Sequence, residues 1–297
     1  MTALQDRIGL HTWTVDTTPL RDVLRVAREA GYAAIELRYF DYKRCIEAGM
    51  SREQYLDLVR SSGLKVAVMG IENGIIFAHG DELDRLLKSF EVTCTNAAAL
   101  GCDTLMISPG RNAPTTVKEG AANYRRAGEI AAGHGLKLAL EFNSRHPILN
   151  RTEVAREIVA IAGLPNGGLL LDAYHLQCAG EVGGSFQDVP VEEILAFQFS
   201  DAPPGPPSKV WTALDRLPPG KGAADWNGVF GLLIDKGYEG YIVYEAPNEA
   251  QWSRTADEVA REGITATREL IAAAARKSEA LGKSLQSNDP HRRPMNS

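Results

Sequence analysis

Glu141, Asp172, Gln198 and Glu245 each close a short apolar run, in LALEFN, LLLDAYH, FQFSDA and VYEAPNE. Three carboxylates gathered at the ends of such runs would repel one another and lose hydration, and a cation between them removes the conflict. The donors are all oxygen, three carboxylates and one amide carbonyl. That set suits a hard or borderline divalent ion, Mg²⁺ or Mn²⁺ with Co²⁺ also admissible, better than zinc. A helix cap or an arginine partner would explain any one carboxylate alone. Four consecutive runs with the same ending point instead to one metal site held by Glu141, Asp172, Gln198 and Glu245. His175 follows Asp172 by three residues and faces the same place, where an imidazole can take or give a proton near neutral pH.

These runs belong to a longer series. Eight apolar segments recur along the chain, beginning at Ile8, Ala33, Lys65, Thr104, Lys137, Gly168, Ile194 and Gly240, each rich in leucine or β-branched residues as strands buried on both faces are. Stretches of helical period separate most of them, and Gly31, Gly63, Gly101, Gly135 and Gly237 stand before the next strand, where a left-handed helix cap favours glycine. Repeated βα units joined by right-handed crossovers predict an α/β fold, a (β/α)8 TIM barrel in a single domain over residues 1–276. No GxGxxG turn follows the first strand, which argues against a dinucleotide-binding fold. The segment from Asp201 to Asp225, rich in proline and glycine, reads as an ordered loop over the barrel mouth. Residues 277–297 lose apolar periodicity and read as a disordered tail.

Composition narrows the partners. The 38 acidic and 32 basic residues leave a net charge of −6 over 297 residues, with no basic stripe of the kind that neutralises phosphates, so no nucleic-acid partner is expected. No segment approaches the roughly 18 apolar residues of a membrane span, and the N-terminus shows no export signal. Cys45, Cys94, Cys102 and Cys178 lie far apart without a CxxC pair, which fits a reducing, cytoplasmic setting. The expected partner is a small molecule, with a homo-oligomer compatible.

At the site residues the chain resembles the xylose-isomerase-like TIM-barrel superfamily of sugar isomerases, epimerases and dehydratases. The resemblance covers nearly all of the chain up to the tail and rests on LALEFN, LLLDAYH, QFSDAP, RLPPGKG and VYEAP. It implies that Glu141, Asp172 and Glu245 bind the metal. The strand-seven ligand of the family is most often histidine, and here Gln198 holds that place. Glutamine there is similar to the bacterial 3-dehydroshikimate dehydratases, whose metal is held by a Glu, Asp, Gln, Glu set and whose histidine three after the Asp is catalytic. The endonuclease branch needs a multi-histidine, multi-metal site that six histidines, most away from strand ends, do not supply.

The implied chemistry is proton removal beside a carbonyl: a metal stabilises the developing enolate while a base takes the carbon-bound proton. Loss of a β-hydroxyl then gives dehydration, and return of the proton elsewhere gives epimerisation or isomerisation. In the first case His175 is the base and Arg216 or Arg38 holds a substrate carboxylate, converting 3-dehydroshikimate to protocatechuate. In the second, Glu141 and Glu245 act as acid and base on a ketose or inosose. His11, Trp13, Glu36, Glu72, His79 and Lys221 are further candidates for the rim, with His11 and Lys221 offered as substrate contacts and Trp13 as a wall aromatic.

Overall fold

A computed structural model of the chain describes residues 3–110, 116–205 and 212–287, with side chains described as far as residue 280. Eight parallel strands close into one barrel in chain order, the first pairing with the second and the eighth. They are β1 (Ile8–His11), β2 (Ala34–Arg38), β3 (Lys65–Gly70), β4 (Thr104–Ile107), β5 (Lys137–Glu141), β6 (Gly167–Asp172), β7 (Ile194–Phe199) and β8 (Ile242–Tyr244). The helices are α1 (Leu20–Ala30), α2 (Tyr39–Glu47), α3 (Arg52–Ser61), α4 (Gly80–Ala99), α5 (Val117–Gly133), α6 (Thr152–Ala162), α7 (Ala173–Cys178), α8 (Trp226–Asp235), α9 (Glu249–Trp252) and α10 (Ala256–Ser287). The expected (β/α)8 barrel is therefore the observed one. The five glycines expected to end helices all take positive φ, between 66° and 91°.

Successive side chains of a strand point to opposite faces, and this period of two aims the chemistry. Leu10, Ile35, Leu37, Ile107, Leu140, Leu171, Phe197 and Tyr244 face outward into the large core shared with the helices. Ala34, Val68, Met106, Ala139, Leu170, Ala196 and Val243 fill the lumen as a separate cluster. Two residues beyond Ala34, Ala139, Leu170, Ala196 and Val243, on the same face, stand Glu36, Glu141, Asp172, Gln198 and Glu245. The small lumen residues thus form a floor, and the polar residues form the next layer up, at the C-terminal mouth. Register keeps neighbours level: His11 lies opposite Glu36, and Asp172 opposite Gln198.

Several short elements differ from what the apolar pattern predicts. The pattern carries the first strand through Val15, but the strand ends at His11, whose Nδ1 accepts the Trp13 N–H at 3.0 Å and starts a 3₁₀ turn over Thr12–Val15. The segment after β2 turns into α2 because Asp41 reaches back to accept the Arg38 N–H at 2.7 Å. The last helix does not stop at 276. It runs to Ser287 through KSEALGKSL, where alanine, lysine, glutamate and leucine sustain a helix by propensity without an apolar stripe; residues 288–297 lie outside the described residues.

Candidate active site at the barrel mouth

The structure brings two of the expected ligands, Glu141 and Asp172, together with His175. Glu141, Asp172 and His175 offer one ligand atom each within 4.8 Å of one another, all buried. Asp172 does two things at once: its Oδ1 caps α7 by accepting the Tyr174 N–H at 2.9 Å, while Oδ2 accepts from Arg216 Nη1 at 2.6 Å. The cap and the site are thus not alternatives, because a carboxylate has lone pairs enough for both. Glu245 closes the ring from β8, with Oε2 3.2 Å from Arg216 Nη1 and Oε1 3.5 Å from His11 Nε2. Gln198, 1% exposed, donates from Nε2 to Glu36 Oε1 at 2.8 Å and leaves its carbonyl Oε1 buried with no hydrogen-bond partner among the described residues.

The electrostatics test whether a cation fits. Burial, then the charges of Glu245 and Asp172, push the Glu141 carboxyl well above the usual carboxylate range. Burial likewise raises Glu245 to about 7, against the attraction of Arg216. Glu36 is raised well above its ordinary value by burial and by Glu245. An orphaned buried carbonyl costs about 1–3 kcal/mol, and crowded carboxylates hold protons that a cation would replace. A divalent ion among these donors would relieve both costs, so the donor set fits a divalent cation.

His175 is buried between Arg216, Glu141 and Ser144. Its Nε2 lies 3.4 Å from Arg216 Nη2, which can only donate, and 3.8 Å from Glu141 Oε1; its Nδ1 lies 3.1 Å from Ser144 Oγ. Both ring nitrogens face a donor, Nδ1 the Ser144 N–H at 3.4 Å and Nε2 the Arg216 guanidinium. Burial chiefly pulls its pKa down to about 4, with Asp172 opposing and Arg216 reinforcing, so the ring is neutral near pH 7.

The profile of the xylose isomerase-like TIM barrel family matches residues 24–270. The chain belongs to that family. Inosose isomerase of Halalkalibacterium halodurans is 24% identical over 268 residues, spanning 87% of this chain and 93% of that protein. A 3-dehydroshikimate dehydratase of Pseudomonas aeruginosa is 29% identical over 174 residues, 57% of this chain but only 27% of that much longer protein. Among solved structures, the IOLI protein with a binding zinc atom superposes with a TM-score of 0.82 at 22% identity, covering 90% of this chain and 99% of that one.

In this xylose isomerase-like barrel the remaining candidates divide. Arg216 lies inside the site, 2% exposed, its guanidinium 4.5 Å from the centre of the Tyr174 ring. His11 is buried beside Glu36 and Glu245, and burial, then Arg38 and Arg216, hold its pKa well below the ordinary value. Arg38 stands at the rim, bonded to Asp16 Oδ1 at 2.5 Å, Asp41 Oδ1 at 3.0 Å and Thr12 Oγ1 at 3.1 Å. Lys221 is exposed in the loop after β7. Glu72 is taken up by Arg85 at 3.0 Å, His79 is exposed at the start of α4, and the Trp13 carbonyl accepts from Trp252 Nε1 at 3.1 Å, so these three stand outside the ligand cluster.

Sequence reasoning missed Asp201. Its buried carboxylate accepts from the N–H groups of Ala202, Gly220 and Ala224 and from Trp226 Nε1, at 2.8 to 3.1 Å. Its backbone pairs with Leu217, the residue after Arg216. Asp201 thereby clasps the loop that carries Arg216 into the mouth. Gly222 lies so close that a Cβ there would stand 2.1 Å from the Ala202 carbonyl oxygen. An aspartate directly after a strand, followed by PPGKG, is the signal that could have revealed the clasp.

Proposed function

We propose that the protein is a divalent-metal-dependent lyase that dehydrates a cyclic polyhydroxy ketone, with 3-dehydroshikimate the substrate and protocatechuate the product. It is an enzyme of the isomerase, epimerase and dehydratase kind. The observation that supports the finer reading is the Gln198 carbonyl, buried without a hydrogen-bond partner among the described residues and level with Asp172, which clusters with Glu141 and a neutral His175. Mg²⁺ or Mn²⁺ held by Glu141, Asp172, Gln198 and Glu245 would polarise the substrate ketone and acidify the neighbouring C–H bond.

The neutral imidazole of His175 takes that proton, and the electron pair of the broken C–H bond becomes the enolate. The guanidinium of Arg216 keeps a permanent positive charge at the wall where negative charge grows. The enolate then expels the β-hydroxyl, which leaves as water with the proton His175 had taken, and tautomerisation of the dienone yields the aromatic ring. Arg216 within the mouth, with Arg38 and Lys221 at the rim, supplies the cationic groups for the substrate carboxylate, and His11 a further contact.

The full-length likeness to inosose isomerases supports a second reading, isomerisation or epimerisation of an inosose or ketose, with Glu141 and Glu245 as acid and base. One assay separates the two. Metal-stripped enzyme is reloaded with Mg²⁺ or Mn²⁺, given 3-dehydroshikimate, and followed by the ultraviolet absorbance of protocatechuate. Metal-dependent product, lost in Glu141→Ala, is expected; no product from folded, metal-loaded enzyme, with turnover of an inosose or ketose, would establish the second reading.

A further inference from the structure

Gln198 brings an ambiguity that a carboxylate in its place would not have. An amide presents an oxygen at one end and an NH₂ group of almost the same size at the other, and only the oxygen can hold a cation. Something must decide which end faces the mouth. We propose that Glu36 is the positioning residue that decides it, by accepting from Gln198 Nε2 across the barrel so that Oε1 is turned to the metal. This rests on the metal site proposed above.

Glu36 is well placed for the task. It is fully buried on β2, its Oε1 is 2.8 Å from Gln198 Nε2, and it belongs to the same layer of the mouth, 162 residues away in the chain. Oε1 can accept whether or not the carboxyl carries a proton on its other oxygen, so the NH₂ end is held in either state. His11 of β1 stands beside it: its Nδ1 accepts the Trp13 N–H at 3.0 Å, which puts the proton on Nε2, 3.7 Å from Glu36 Oε1 and 3.5 Å from Glu245 Oε1. With the NH₂ end of Gln198 held by Glu36 Oε1 at 2.8 Å, the amide offers its oxygen to the mouth. Partners behind a ligand set its orientation in this way, and their removal weakens metal affinity about 10- to 100-fold.

The test measures the dissociation constant of Mn²⁺ alone for the full-length, metal-stripped protein by a competing chelator. Glu36→Leu removes the acceptor and is expected to weaken Mn²⁺ about 10- to 100-fold. In a Gln198→Glu background both ends of residue 198 are oxygens, so adding Glu36→Leu should change affinity no more than about twofold. If Glu36→Leu does not fold, Glu36→Asp takes its place, keeping the charge but drawing the acceptor back, and the same loss is expected. Unchanged affinity in Glu36→Leu, or a loss that persists in the Gln198→Glu background, would each overturn the positioning role while leaving the metal site standing. No Mn²⁺ binding by the natural protein would overturn both.

Discussion

The reactivity of His175 depends on its being neutral, and its surroundings make it so. A pKa near 4 leaves the imidazole unprotonated from about pH 5 upward, so activity should not fall with the ordinary histidine titration near 6.5. His175→Ala is expected to lower kcat by about 10²- to 10⁴-fold while leaving Mn²⁺ affinity nearly unchanged. Steady-state assays paired with metal titration check this, and a parallel collapse in metal affinity would make the imidazole a ligand instead of a base. The carboxylates behave in the opposite sense. In the metal-free protein Glu245, raised to about 7, and Glu141, raised further by Glu245 and Asp172, retain protons that a bound cation must expel. Calorimetry of Mn²⁺ binding at pH 7 in two buffers of different ionisation heat should therefore show net proton release, and affinity should climb between pH 6 and pH 8. A heat that does not depend on the buffer would mean that the carboxylates are already ionised before the metal arrives.

Among the elements, the loop after β7 is clasped by Asp201, which accepts from the N–H groups of Ala202, Gly220 and Ala224 and from Trp226 Nε1 and whose backbone pairs with Leu217, next to Arg216. Asp201→Ala leaves those N–H groups unpaired and is expected to destabilise the barrel by about 3 kcal/mol in urea unfolding, with kcat/KM falling because Arg216 is displaced. An activity equal to the natural enzyme's would show that the loop positions itself. The main elements are legible in the amino-acid sequence because eight apolar runs, glycine helix ends and polar strand termini are local patterns. The same strand periodicity marks Glu141, Asp172, Gln198 and Glu245, and a spacing of three marks His175. Pairings across the barrel have no such trace. Nothing in the sequence ties Gln198 to Glu36, Arg216 to Asp172 and Glu245, or Arg38 to Asp16, since those contacts exist only once the barrel closes. Short elements such as α2 and α7 escape a reading by periodicity because single side-chain caps, at Asp41 and Asp172, decide them.

For the whole molecule, the site is linked to stability because its donors come from strands far apart in the chain. Glu141, Asp172, Gln198 and Glu245 stand on or beside β5, β6, β7 and β8, so in the proposed site a cation would bind the folded chain and not the unfolded one. Mn²⁺ at one hundred times its dissociation constant should then stabilise the fold by about 2.7 kcal/mol, a rise in Tm of about 4 °C for a domain of this size. The pH dependence of that rise follows from two opposed groups. A carboxyl raised in the fold stabilises it below the unfolded value of 4.5, and for Glu245 that contribution is lost as pH rises through about 7. His175, lowered to about 4, works the other way: the unfolded chain binds more protons between about 4 and 6.5, so stability increases with pH across that window and the effect is complete above it. Above pH 6.5 only the carboxyl effect remains, and the metal-free barrel should lose stability toward pH 8 while Mn²⁺ removes the repulsion responsible. Thermal unfolding with and without Mn²⁺ should consequently show a wider gap at pH 8 than at pH 6, and a Gln198→Ala protein a narrower one at both. A gap that does not change with pH would separate the metal from these carboxylates.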